Sequence, residues 1–280
     1  MPEGPRFLDA DAVARALDVL GAVDALEAAL RGGLDPEAEA PRSVLPVGAR
    51  GGELLVMPSA AGGGAPAVKL VTVGGDPRVQ GVCVVFDPDT LAPAAVLDGI
   101  ALTNLRTAAV SALAVRRLAA PGARRLLVFG RGPQGLAHAA AIRAVLPSID
   151  DVEVVGRDHG GVDVGAADVI CCCTTARTPL FDGARVADHA TVVAIGSHEP
   201  EAREVDAALV ARATVVVESR ASALREAGDV LAAIAEGALR AEDLLTLSDD
   251  LRAVDPARPR LFKSTGMAWQ DAVVAAAVLR

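Results

Sequence analysis

A chain of 280 residues with a net charge of −9 and 52% hydrophobic residues can hold one large domain or two of ordinary size. Its acidity and its scattered Lys and Arg exclude a nucleic-acid groove, which needs clustered cations. No apolar run approaches the ~20 residues of a membrane span and the N-terminus carries no apolar leader, so the chain reads as cytoplasmic with no membrane partner.

Aromatics make up only 2% of the chain and Tyr is absent, which leaves Ala, Val and Leu to build the core. Residues 8–30 have helical periodicity, with Asp9 or Asp11 as N-cap and Gly32-Gly33 as a stop. Residues 43–57 suggest two strands joined by a turn at 48–52. Two β-branched runs, 67–73 and 79–86, flank Gly74-Gly75-Asp76-Pro77, and after a turn at 87–90 the meander continues through 94–97. Residues 43–97 therefore predict a mostly antiparallel sheet after one opening helix. A long helix over 103–119 ends at Pro121-Gly122.

The pattern then changes to α/β. Strands are predicted near 125–129, 152–156, 167–173, 190–195 and 213–217, with helices in most gaps, including 221–236 and 241–245. A last helix covers 264–279. Pro256 and Pro259 break the chain before it, which suggests that it returns to the first domain. The domains are drawn as 1–112 with 260–280, and 113–259.

The most informative stretch is LLVFGRGPQG at 126–135, an apolar strand that stops at Gly130. Gly130, Gly132 and Gly135 have the spacing G-x-G-x-x-G between a strand and an alanine-rich helix, and a second strand follows. The first glycine permits a tight turn, the second lets the backbone approach a pyrophosphate, and the third packs helix on strand. The helix N-terminus adds unpaired N–H groups and a positive dipole end. This context predicts a Rossmann-type dinucleotide-binding domain, alongside the α+β first domain, in an α/β protein. An acid that would hold the adenosine ribose is expected at the end of the second strand. Gly156 stands there, followed by Arg157, which suits a 2′-phosphate, and by Asp158, which could still reach a ribose. NADP(H) is favoured and NAD(H) stays possible.

Polar residues in apolar settings are the substrate-side candidates. Lys69 interrupts the strand AVKLVTV, as a functional cation or as an edge-strand lysine. Arg106 lies on a helix of small residues, where it can clamp a carboxylate or form a salt bridge between domains. Arg42 precedes a strand. Lys263 sits at the start of the last helix, as a functional residue or a surface one. His198 follows AIGS at the end of a predicted parallel strand, where such sheets hold ligands, whereas His138 reads as packing and His159 and His189 as loop residues. Cys171, Cys172 and Cys173 alternate faces on one strand and cannot converge on a metal; no His pair has zinc-like spacing, so no metal is expected.

Together these residues resemble the ornithine cyclodeaminase/μ-crystallin family. The resemblance runs in order through Arg42, VMP at 56–58, AVKLVTV at 67–73, VQG at 79–81, FDP at 86–88 and LTNLRTAAVSA at 102–112. It continues through the glycine loop with Gln134, AIG at 194–196, Arg203-Glu204, EAGD at 226–229 and LFKS at 261–264. It implies a homodimer whose first domain, with the last helix, binds substrate and makes the dimer contact. It also implies that the Rossmann domain binds NAD(P), with Pro133, Gln134, Thr174, Gly196 and Lys263 on the cofactor side. Arg42, Lys69 and Arg106 would grip the carboxylate of a small imino or amino acid.

The family is functionally mixed. Cyclodeaminases carry an aspartate where His198 stands and a glutamate where Leu55 stands, so an ornithine ammonium would lose its anionic partners here. The expected activity is an NAD(P)H-dependent reductase or dehydrogenase of small 2-imino or 2-amino acids, foremost a ketimine or Δ1-pyrroline-2-carboxylate. Lys69 or His198, or a water between them, would be the proton source. Ornithine cyclodeamination, alanine-type dehydrogenation and non-enzymatic binding remain open.

Overall fold

The computed structural model describes residues 4–48, 51–60, 64–158 and 160–280, so His159 and part of the turn at 48–52 lie outside the described residues. The chain divides into two compact units, Met1–Val110 with Met267–Arg280, and Ser111–Gly266.

In the first unit, β1 (Arg6–Leu8) leads into α1 (Ala10–Ala16) and α2 (Val19–Arg31). Residues 8–30 therefore form two helices rather than one. Asp9 caps the first by accepting from the Ala12 N–H at 2.8 Å, and Asp18 caps the second by accepting from the Gly21 N–H at 2.8 Å. An aspartate that satisfies its own downstream amide starts a new helix instead of continuing the old one. The strands β2 (Ser43–Val47), β3 (Gly52–Ser59), β4 (Ala67–Val73), β5 (Val79–Phe86) and β6 (Pro93–Asp98) follow, then α3 (Gly99–Leu118), which crosses the boundary between the units. The sheet order is β1-β6-β5-β4-β3-β2, antiparallel except for the parallel β1–β6 pair.

The second unit holds β7 (Arg125–Phe129), α4 (Pro133–Val145), β8 (Asp151–Val155), β9 (Val169–Cys172), β10 (Thr191–Ala194) and α5 (Ala207–Arg212). It continues with β11 (Thr214–Val217), α6 (Arg220–Glu226), α7 (Gly228–Ala235), β12 (Leu245–Thr246) and β13 (Arg260–Lys263). The chain then returns to the first unit as α8 (Ala268–Val278). The second sheet is parallel throughout, in the order β12-β11-β13-β10-β9-β7-β8. Its strands are near-continuous apolar runs because helices cover both faces.

The segment 260–266 departs from the expected division. It belongs to the second unit, and β13 pairs with both β10 and β11 in the middle of the sheet. Lys263 therefore ends a strand, and the last helix starts only at Ala268. A four-residue apolar run has no periodicity of its own to distinguish strand from helix.

Alternation along β4 buries Ala67, Lys69 and Val71 on one face. Leu55 and Met57 on β3 and Cys83 and Val85 on β5 are buried as well, and α8 packs across β3, β4 and β5. In the second unit, Cys171 and Cys172 are buried and Cys173 is partly so; burial raises all three thiols above their ordinary range, as inert core residues require. Among the described residues, no helix is long and apolar enough to cross a membrane.

Candidate active site

The first unit carries a buried knot of charge. Lys69 faces α8, flanked in the sheet by Met57 and Cys83. Its ammonium lies 2.9 Å from Oδ1 and 2.8 Å from Oδ2 of Asp271, with both side chains at most 2% exposed. Arg106, on α3, donates from Nε to the same Asp271 Oδ1 at 3.0 Å, and from a terminal nitrogen to Gln270 Oε1 at 3.0 Å. The remaining Nη2 of Arg106 has no protein partner among the described residues. Arg42, partly buried just before β2, is close enough to repel the Lys69 charge.

Two cations therefore share one carboxylate, with Arg42 near enough to act on Lys69. Burial, and next the Arg106 guanidinium, bring the Lys69 ammonium down to about 8, against the pull of Asp271. Beside it, burial and then Asp271 push the Cys83 thiol up to about 12, so it stays protonated. The excess positive charge and the spare donors of Arg106 and Lys69 fit a small carboxylate. An ammonium with an affinity near 8 can also give up a proton at neutral pH. Asp271 and Gln270 were not anticipated. Their signal was a polar pair inside an otherwise apolar last helix.

The glycine turn is built as the spacing predicts. Gly130 has φ of +117°, and a Cβ there would lie 2.4 Å from the Cys173 carbonyl oxygen. A Cβ on Gly135 would lie 1.8 Å from the Gly130 oxygen, so that helix and strand need this glycine to touch. Gly132 differs: a Cβ there would meet nothing within 4 Å. It is the N-cap of α4, no side chain caps it, and Pro133 follows. Open space over an uncapped helix start fits a dinucleotide pyrophosphate. Gln134 and His138 lie on the first turns of α4. His138 donates from Nδ1 to the Gln134 carbonyl at 2.7 Å, which leaves Nε2 to accept from Ser111 at 2.9 Å; its role is packing. Arg157 and Asp158 are exposed just after β8.

The strand ends on this side are tied by a second charged cluster. Glu204 accepts from the N–H and hydroxyl of Thr174 at 2.7 Å each and from the Gly196 N–H at 2.7 Å. Burial raises its carboxyl, and the Lys263 charge opposes the rise. Asp229 accepts from the N–H groups of Glu204 and Val205. Lys263 donates to the Ser197 carbonyl at 2.7 Å and pairs with Asp229 at 2.7 Å, with both side chains fully buried. Lys263 thus ties the strand ends together. Thr174 presents no spare hydroxyl proton, because Glu204 takes it. His198 is partly buried just beyond β10. Leu55 packs in an apolar cluster with Met57 and Ala268, which offers no anion to a second ammonium.

A glycine turn between parallel strands in one unit, and a buried knot of cations in the other, fit a dinucleotide-dependent enzyme of small acids. Comparison with known proteins is specific. The chain belongs to the ornithine cyclodeaminase/mu-crystallin family, whose model matches residues 5–164 and 161–280. It is 34% identical to the ketimine reductase mu-crystallin of Rattus norvegicus, over 98% of this chain and 96% of that one. It is 32% identical to the Δ1-pyrroline-2-carboxylate reductase of Colwellia psychrerythraea, over 67% of this chain and 68% of that one. The structure of the iminosuccinate reductase of Paracoccus denitrificans in complex with NAD+ superposes with a TM-score of 0.85 at 25% identity, covering 99% of this chain and 96% of that one.

Proposed function

We propose that the protein is an NAD(P)H-dependent reductase of small cyclic 2-imino acids, with Δ1-pyrroline-2-carboxylate as the leading substrate. The observation that carries this reading is the pairing of Lys69 and Arg106 on the single carboxylate of Asp271, which leaves donors of these two cations for one further carboxylate. The first unit holds the acid and the second the dinucleotide. The nicotinamide supplies hydride for the C=N carbon. Arg106 and Arg42 hold and orient the carboxylate, and Lys69 supplies a proton to the imine nitrogen. Gly130, Gly132, Pro133, Gln134 and Gly135 cradle the pyrophosphate, with Thr174 and Gly196 shaping the neighbouring strand ends. A cyclodeaminase reading is disfavoured, since Leu55 sits in an apolar cluster and His198 stands where an anion is needed.

NADP(H) is the preferred dinucleotide. Gly156 presents no carboxylate to a ribose. The Arg131 side chain lies 3.6–4.0 Å from where a Gly156 Cβ would be, and exposed Arg157 follows. The protein works as a cytoplasmic homodimer. The edge strand β2 supports this with Val44 and Leu45 exposed at 49% and 46%, apolar surface that a second copy would cover.

Steady-state assays of Δ1-pyrroline-2-carboxylate, Δ1-piperideine-2-carboxylate and pyruvate with ammonia, each with NADPH and NADH, test the activity. Oxidation of neither dinucleotide with any of them would refute it. Ammonia release from ornithine without net cofactor change would favour the cyclodeaminase instead. Light scattering on the eluting protein tests the dimer.

A further inference from the structure

We infer that Asp271 is a positioning residue that separates the tasks of the two cations it touches, fixing Arg106 for carboxylate binding and holding Lys69 as the acid of the reaction. The inference rests on the imine-reductase reading above and adds to it a residue of α8.

One carboxylate serves both cations. Its Oδ1 takes the Nε edge of Arg106 at 3.0 Å, and Gln270 takes a terminal nitrogen at 3.0 Å. The guanidinium is thereby gripped from the α8 side, with Nη2 left for the ligand. A planar fork fixed at two of its nitrogens has little freedom to turn. Lys69 reaches the same carboxylate at 2.8–2.9 Å from the sheet side. Its surroundings are Arg42 before β2, Met57 on β3, Cys83 on β5, Arg106 on α3 and Asp271 on α8. Among the described residues, Asp271 is the anion that meets Lys69 directly. Without its charge, burial and two guanidinium groups would leave Lys69 neutral at working pH and unable to donate.

The balance of the step is one hydride onto the imine carbon and one proton from Lys69 Nζ onto the nitrogen, whose C=N electron pair takes that proton. Lys69 is left as an amine and recovers a proton from water. Activity therefore needs the ammonium: it is full below the Lys69 affinity of about 8 and lost as pH rises through it.

The test compares kcat/KM–pH profiles, which report the free enzyme, of the native protein and Asp271→Asn with Δ1-pyrroline-2-carboxylate and NADPH. Loss of the facing charge should move the alkaline limb to lower pH by about 1–3 units. Asp271→Glu should restore most of that shift even where kcat stays low. Proline binding to the NADP+-loaded protein, measured by calorimetry at pH 8 in buffers of different ionisation heat, gives a readout without turnover. Proline arrives as an ammonium and the step leaves Lys69 as an amine beside it, so the native protein should release about half a proton, and Asp271→Asn and Lys69→Met nearly none. Profiles that superpose, or proton release unchanged in Asp271→Asn and Lys69→Met, would overturn the inference. If Asp271→Asn does not fold, Asp271→Ser, which also removes the charge, takes its place: a native alkaline limb and native proton release there overturn the inference, and a lowered limb with the release lost supports it. A native protein with no turnover on any imino acid would refute the proposed function itself, which is a different result.

Discussion

Two buried lysines in this protein form short ion pairs with an aspartate, and they do opposite things. Lys263 pairs with Asp229 and gives a further bond to the Ser197 carbonyl, while Asp229 and Glu204 spend their oxygens on the backbone of neighbouring strands. Its cluster has two carboxylates for one cation and is closed. Lys69 shares Asp271 with Arg106, so that its cluster has two cations for one carboxylate and spare donors. Burial alone does not distinguish a structural from a functional charge. Whether the donors are already spent does.

The comparison can be broken by substitution. Lys69→Met should lower kcat/KM by about 10²–10⁴-fold, the usual worth of a positioned acid, with a modest cost in stability because Asp271 keeps Arg106. Lys263→Met leaves Asp229 buried without its cation and should cost about 3–5 kcal/mol, read by urea denaturation. If Lys69→Met unfolds at lower urea than Lys263→Met, the assignment of roles is reversed. Within the glycine turn the same contrast recurs at smaller scale. Gly132→Ala enters open space and should keep native stability within about 0.5 kcal/mol, yet weaken NADPH binding about tenfold, about 1.4 kcal/mol, by fluorescence titration. Equal affinity would show that the pyrophosphate does not approach there. The smallest effect is expected at Arg157→Ala, which should lower the NADPH/NADH ratio of kcat/KM about threefold to tenfold, the worth of one exposed charged contact. An unchanged ratio would leave the dinucleotide preference to other residues.

Much of this was readable in the chain because the relevant signals are local. The glycine spacing reports a turn, and Lys69 in an alternating strand reports a cation on a core face. Strand positions from β7 to β11 followed from short apolar runs between helical segments. What could not be read depends on pairing between distant residues. Asp271 looks like one polar residue on a helix until Lys69 and Arg106 are seen to meet it, 202 and 165 positions away. Glu204 and Asp229 belong to motifs that the family resemblance had picked out, but only the fold shows them tying the ends of β9, β10 and β13. The assignment of β13 failed for the same reason, because a four-residue run becomes a strand only when β10 and β11 leave a slot for it.

That slot has a consequence for how the protein is made. The strands β10 and β11 meet only through β13, whose residues are translated some 45 positions after β11, and the first unit likewise waits for α8 to cover Lys69. Until residues 260–280 join, the second sheet has a gap in its middle, and the first, though all six of its strands precede, leaves Lys69 uncovered. Both units therefore close only through contacts far apart in sequence, which slows the folding of each.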